Sequence, residues 1–217
     1  AEYMHMVGIF PTRNFQECSL PEVSNLSGDA YISLRQRDVG CHGCIVKCGK
    51  LLRVEEGPFQ GAECDGPDYE TIWAFSASLG CTDVGLTVAA NQVCDELGMD
   101  TITTGNLLGF LMELVQRGIV SESEFPGLDL SWGRKDSILK AITMIGRREG
   151  IGELLSHGVK RVSDHLGSEA QKLAMHVKGL ELSAYEPRSC KAQGLSFATS
   201  SIGAQHTLGY AAQEIYG

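Results

Sequence analysis

The feature that most narrows the fold is a run of five helical stretches between residues 69 and 167, each closed by a glycine. "YETIWAFSASLG" ends on Gly80, "VGLTVAANQVCDELG" on Gly98 and "TTGNLLGFLMELVQRG" on Gly118. "KDSILKAITMIGRREG" and "IGELLSHGVKRVSDHLG" follow, ending on Gly150 and Gly167. Glycine stops a helix well because it enters the left-handed region without a Cβ penalty. Asp83 stands at an N-cap position, and Val84, Val88, Val93 and Leu97 fall roughly on one helical face. In the third stretch Leu107, Leu108, Leu111, Leu114 and Val115 take core spacing. Sustained alternation of period two is missing, so strands are not expected. The expected class is all-α: predominantly helical, with a loop-rich N-terminal part over residues 1–68.

Hydrophobic residues make up 43% of the chain and charged ones 21%, enough for a packed core. With a net charge of −9 and no basic stripe, the chain does not read as a nucleic-acid binder. Its apolar runs are short and broken, so no membrane span is expected, and no signal-peptide pattern is visible. The expected location is the cytoplasm. The opening "AEYMHMVGIF" and the final amphipathic stretch both read as cut points in a longer protein.

Eight cysteines are present, and three of them form "CHGCIVKC": Cys41, Cys44 and Cys48, spaced C-x2-C-x3-C. A chain of this size has a core without disulfides, so a metal reading is preferred. Three local thiolates and one remote one suit a 4Fe–4S cluster. Zinc is the rival, but its sites more often pair two C-x2-C units or add histidine. The order of the spacings is the reverse of the radical SAM signature. Lys47 and Lys50 would offset the charge of a thiolate-bound cluster. Cys64, Cys81, Cys94 and Cys190 remain as candidates for the fourth ligand by number alone, and Cys94 also reads as a small core residue.

Further segments follow in a fixed order: "PTRNF", "GPDYETIWAFSASLG", "CDELGMDTITTG", "GIGELLSHGVKRV", "VKGLELSAYEPR" and "ATSSIGAQH". With the cysteine cluster, this succession strongly resembles the aldehyde ferredoxin oxidoreductase family of tungsten–pterin enzymes. The resemblance runs along nearly the whole chain but covers only the middle of a family member. It implies a helical middle domain over 1–175, carrying the iron–sulfur and first pterin motifs. Residues 176–217 would begin the C-terminal helical domain of a larger multidomain enzyme.

The resemblance also implies roles. Cys41, Cys44 and Cys48 match the local cluster ligands. The family's fourth cysteine closes a second D-x-x-G-L-C motif; here Asp164–Gly167 is followed by Ser168 and Glu169, so that ligand is expected past Gly217. Asp95-Glu96-Leu97-Gly98-Met99-Asp100 matches the first motif, D-x-x-G-L-D, with Met for Leu, and implies that Asp95, Met99 and Asp100 contact a pterin. Read locally, Asp100 simply caps the helix from Thr101. Glu70 matches the glutamate beside the metal and His206 the active-site histidine; read locally, Glu70 is a first-turn glutamate favoured by the helix dipole. Ile202, where relatives often carry Arg, and Gly203 match positions where backbone approaches the pterin, and Gln205 replaces a small residue or cysteine.

The implied enzyme oxidises an aldehyde with water to a carboxylic acid. Its cofactors would be a tungsten (or molybdenum) bis-pterin and a 4Fe–4S cluster passing electrons to ferredoxin, in a chain able to form a homodimer. The alternatives are an iron–sulfur electron-transfer module without a catalytic centre and a family branch that reduces carboxylates or aromatic thioesters. Tyr185 and Arg188 are family-typical without an assigned role.

Overall fold

The structure, a computed structural model, describes residues 1–216. The chain opens with α1 (Glu2–Met6) and α2 (Gly28–Ile32). An antiparallel sheet follows, formed by β1 (Arg35–Val39), β2 (Gly49–Arg53) and β3 (Glu63–Asp65) in that order. The helical body comprises α3 (Tyr69–Ala74), α4 (Val84–Leu97), α5 (Thr101–Gln116), α6 (Lys135–Arg147), α7 (Gly152–Leu155), α8 (Gly158–Leu166) and α9 (Ser168–Gln171). A hairpin of β4 (His176–Val177) and β5 (Leu180–Glu181) then leads to α10 (Lys191–Thr199) and α11 (Ala212–Tyr216).

Helix α5 is the centre of the body. Every residue from Thr104 to Leu114 is buried, as expected of a helix surrounded by other elements. Helices α3 and α8 pack on it, and α4 packs on α6. Gly105 permits the close approach of α3: a Cβ there would lie 2.5 Å from the Ala74 carbonyl oxygen. Glu113, buried within α5, is matched by neighbours. Asn14 Nδ2 donates to its Oε2 and Arg117 Nε to its Oε1, both at 2.6 Å, so the charge is not left unpaired.

The expected helix ends at Gly80, Gly98 and Gly118 form, all three glycines being left-handed. Asp83 accepts from the Leu86 N–H at 2.9 Å and caps α4. Other boundaries differ. Helix α3 stops at Ala74, where Ser76 returns its hydroxyl to the Ile72 carbonyl, and a 3-10 turn (Ala77–Leu79) completes the stretch. Helix α6 ends on left-handed Arg148 rather than at Gly150. The fifth stretch divides into α7 and α8, where Glu181 Oε1 accepts the Val159 N–H at 2.8 Å.

The all-α expectation needs correction, because two small sheets are present among the described residues, beside a predominantly helical body. Strand β1 reads RQRDV and buries none of its side chains fully. A strand without an apolar face leaves no period-two signal in the sequence. Strands β4 and β5 have two residues each, too few to show alternation. At the expected boundary after residue 175, the chain packs back onto the body: Asn106 Nδ2 donates to the Leu182 carbonyl at 2.9 Å. Among the described residues, no single helix is long and apolar enough to cross a membrane.

Candidate active site

Glu70 lies in the first turn of α3, behind the cap formed by Asp68, which accepts the Thr71 N–H at 2.9 Å. It is only 7% exposed. Its Oε2 accepts the Ala184 N–H at 2.9 Å, while Oε1 is buried with no hydrogen-bond partner among the described residues. His206 Nε2 stands 3.8 Å from that open oxygen, beyond hydrogen-bond length. Burial pushes the Glu70 carboxyl up to about 8, against the Ala184 N–H, which pulls it down; Asp68 and Asp100 add to the rise. Burial also lowers His206. At neutral pH the contact is therefore mainly a carboxylic acid facing a neutral imidazole, not an ion pair. The Tyr185 ring sits 5.9 Å from the His206 ring and 5.7 Å from that of Tyr69. The fold thus brings together Glu70 and His206, which are distant in sequence.

The Asp95–Asp100 turn borders the same region. Gly98 is left-handed, and the Met99 N–H returns to the Cys94 carbonyl at 2.8 Å, closing α4. Asp100 does cap α5, accepting the Thr103 N–H on Oδ2 at 2.6 Å. Its other oxygen has no hydrogen-bond partner among the described residues. Asp95 likewise uses only Oδ2, toward Asn91. An open cleft of about 330 Å³ runs past Asp65, Asp68, Asp95, Met99 and Asp100. Four aspartates lining one cleft suit a ligand rich in N–H donors.

Cys41, Cys44 and Cys48 lie on the loop joining β1 and β2, and all three are exposed free thiols. The Cys44 N–H donates to the Cys41 carbonyl at 3.0 Å, so the first two begin a tight turn. Ile45, between them and Cys48 in sequence, is 95% exposed. Among the described residues, no three His, Cys, Asp or Glu side chains converge in a metal-holding group. The loop supplies sulfur donors without gathering them. Lys50 Nζ folds back onto the Lys47 carbonyl at 2.8 Å and pairs with Asp38 at 3.4 Å. Cys48 borders a second cleft, of about 430 Å³, that shares Asp65, Gly66 and Asp68 with the first. The cysteine loop and the carboxylate wall therefore adjoin across residues 65–68. The spare cysteines Cys64, Cys81, Cys94 and Cys190 are all buried.

Ile202 and Gly203 line neither cleft. Ile202 is exposed, and Gly203, at φ 108, sits on the β4–β5 hairpin, where any Cβ would collide with the Val177 carbonyl. Lys178 Nζ ties this loop down through the Ser200 carbonyl at 2.7 Å. The close approach at Gly203 is thus made to the chain itself.

Three contributors escaped the sequence reading. Ala184 acts through its backbone, which no side-chain pattern reveals. Asp65 and Asp68 lie in "DGPD", whose cap spacing to Thr71 was the available signal.

The sequence model described as "Aldehyde ferredoxin oxidoreductase, domains 2 & 3" matches residues 1–215. The chain belongs to the aldehyde ferredoxin oxidoreductase family. It is 37% identical over 205 residues to the tungsten-containing aldehyde ferredoxin oxidoreductase of Pyrococcus furiosus, covering 94% of this chain and 33% of that one. The enzyme of the same name from Thermococcus kodakarensis is 36% identical, with the same coverage. A second Pyrococcus furiosus protein, "Aliphatic sulfonate oxidoreductase, WOR-like subunit", is 36% identical over 207 residues, covering 91% and 32%. The chain spans about a third of the length of these curated relatives. Among solved structures, the active-site complex BamBC of benzoyl coenzyme A reductase, bound to 1,5-dienoyl-CoA, shares the fold. It gives a TM-score of 0.72 at 23% identity, over 94% of this chain and 31% of that one.

Proposed function

We propose that this chain is part of a tungsten (or molybdenum) bis-pterin oxidoreductase that oxidises an aldehyde, with water, to a carboxylic acid. Residues 1–175 form the middle domain and 176–217 begin the next. The observation that carries the reading is Glu70: a buried carboxyl with one oxygen fixed by a backbone N–H and the other open toward His206.

The residues present fit such a cofactor. The open oxygens of Asp95 and Asp100 would accept from a pterin's amino and ring N–H groups, with Met99 beside them in the cleft lining. When bound, such a metal–pterin group would supply the acceptor for the two electrons of aldehyde oxidation. The chain's own part is proton handling. Glu70 Oε1, as carboxylate, takes the proton from the attacking water, and an acceptor poised near working pH suits that task. Neutral His206 orients the carbonyl oxygen or relays the proton. Cys41, Cys44 and Cys48 would provide three ligands of a 4Fe–4S cluster once the loop draws them together, and such a cluster would supply one-electron transfer toward ferredoxin. A cytoplasmic location and homodimeric assembly belong to the same reading.

Metal analysis of the intact protein together with aldehyde turnover tests it. Tungsten or molybdenum accompanied by iron is expected, and Glu70→Gln should lower turnover while metal content holds. Iron alone would leave an electron-transfer module in its place, and wild-type turnover in the variant would remove Glu70 from the chemistry.

A further inference from the structure

We infer that Tyr69 is a positioning residue for Glu70 and acts through the backbone of Ala184. Its effect on turnover rests on the proposed role of Glu70; its effect on the protonation of Glu70 does not.

Tyr69 and Glu70 are neighbours in the first turn of α3, and both reach the same residue of a distant loop. The Tyr69 hydroxyl donates to the Ala184 carbonyl at 2.7 Å, and the Ala184 N–H donates to Glu70 Oε2 at 2.9 Å. The two bonds hold the peptide planes on either side of Ala184. Between them the chain makes a three-residue turn, with the Tyr185 N–H returning to the Ser183 carbonyl at 2.7 Å.

The rest of the loop is anchored independently. Upstream, Leu182 bonds to Met175 and to Asn106. Downstream, the Glu186 N–H reaches the Ile9 carbonyl at 3.3 Å, and the Arg188 guanidinium clamps the Glu186 carboxylate and the Phe15 carbonyl. The Tyr69 ring itself is packed, 6.1 Å from Phe10 and 5.7 Å from Tyr185. Removing only the hydroxyl therefore leaves the loop and the ring in place and frees the orientation of Ala184. Glu70 then loses alignment of its Ala184 donor. The other titratable groups around it, Asp68, Asp100, His206 and Tyr185, are untouched.

The test is Tyr69→Phe in the intact protein. The protonated-carboxyl infrared band of Glu70, assigned by its loss in Glu70→Gln, is titrated against pH. A hydrogen bond to a charged acceptor is worth enough to move the midpoint by about one pH unit. The Tyr69→Phe midpoint should rise by that amount, and the acidic limb of kcat/KM for aldehyde oxidation should rise with it, while unfolding stays cooperative. An unchanged infrared midpoint overturns the inference. A limb that persists in Glu70→Gln defeats the proton-acceptor reading instead, and the infrared midpoint alone then decides the role of Tyr69.

Discussion

Glu70→Gln in the cofactor-free chain offers a stability test that does not depend on turnover. Burial raises the Glu70 carboxyl from 4.5 to about 8. A group whose folded value is raised holds its proton longer in the folded state, so stability is full below pH 4.5 and falls as pH climbs toward 8. Each unit is worth about 1.4 kcal/mol. The carboxyl thus costs at most about 3 kcal/mol at neutral pH and about 5 kcal/mol above pH 8. Glutamine mimics the protonated acid and removes this dependence. Its amide brings an offset of about 1 kcal/mol from an imperfectly paired N–H, but that offset is the same at every pH. The measurement is denaturant and thermal unfolding of both proteins across this range. The variant should gain on the wild type as pH rises, by about 6–12 °C in Tm at neutral pH. Two parallel stability curves would refute the reasoning, because they would mean that Glu70 ionises as freely folded as unfolded.

Gly105→Ala gains about 1 kcal/mol of helix propensity but drives a methyl into the rigid Ala74 backbone 2.5 Å away. A net loss of about 1–2 kcal/mol is expected as a lower unfolding midpoint, and a midpoint at or above wild type would contradict it. Asp100→Asn keeps the cap on α5, whereas Asp100→Ala costs about 1 kcal/mol. Both should lower the pterin content of the intact protein, and full pterin content in Asp100→Asn would reduce Asp100 to a cap. Cys41→Ser, Cys44→Ser and Cys48→Ser should each lower iron content and the visible absorbance of the cluster; an unaltered spectrum would move the ligands elsewhere.

The helical body was legible because its signals are local. Asp83 before Val84, Gly98 after Leu97 and the leucines of α5 each act within a few residues, and each was read at the right place. The sheet was not legible, since β1 has no buried face to impose alternation. The site was half legible. Glu70, His206 and the Asp95–Asp100 turn could be picked out by resemblance, but on local grounds Glu70 was a first-turn glutamate and Asp100 a cap. Asp100 indeed caps α5, and its second oxygen remains open to the cleft. Gly203, which the resemblance aligns with a backbone approach to the pterin, makes its close contact in this fold with the β4–β5 hairpin.

By itself, the sequence determined the family, the succession of helices and the three-cysteine spacing, all of which depend on residue identity and short-range order. Tertiary structure decided the state of the chemistry. Glu70 becomes a raised, half-anchored acid only because α3 is buried against the Ala184 turn and His206 is delivered from the far end of the chain. Desolvation, and the orientation of a backbone N–H, are properties of what surrounds a residue, and no short stretch of sequence contains its own surroundings.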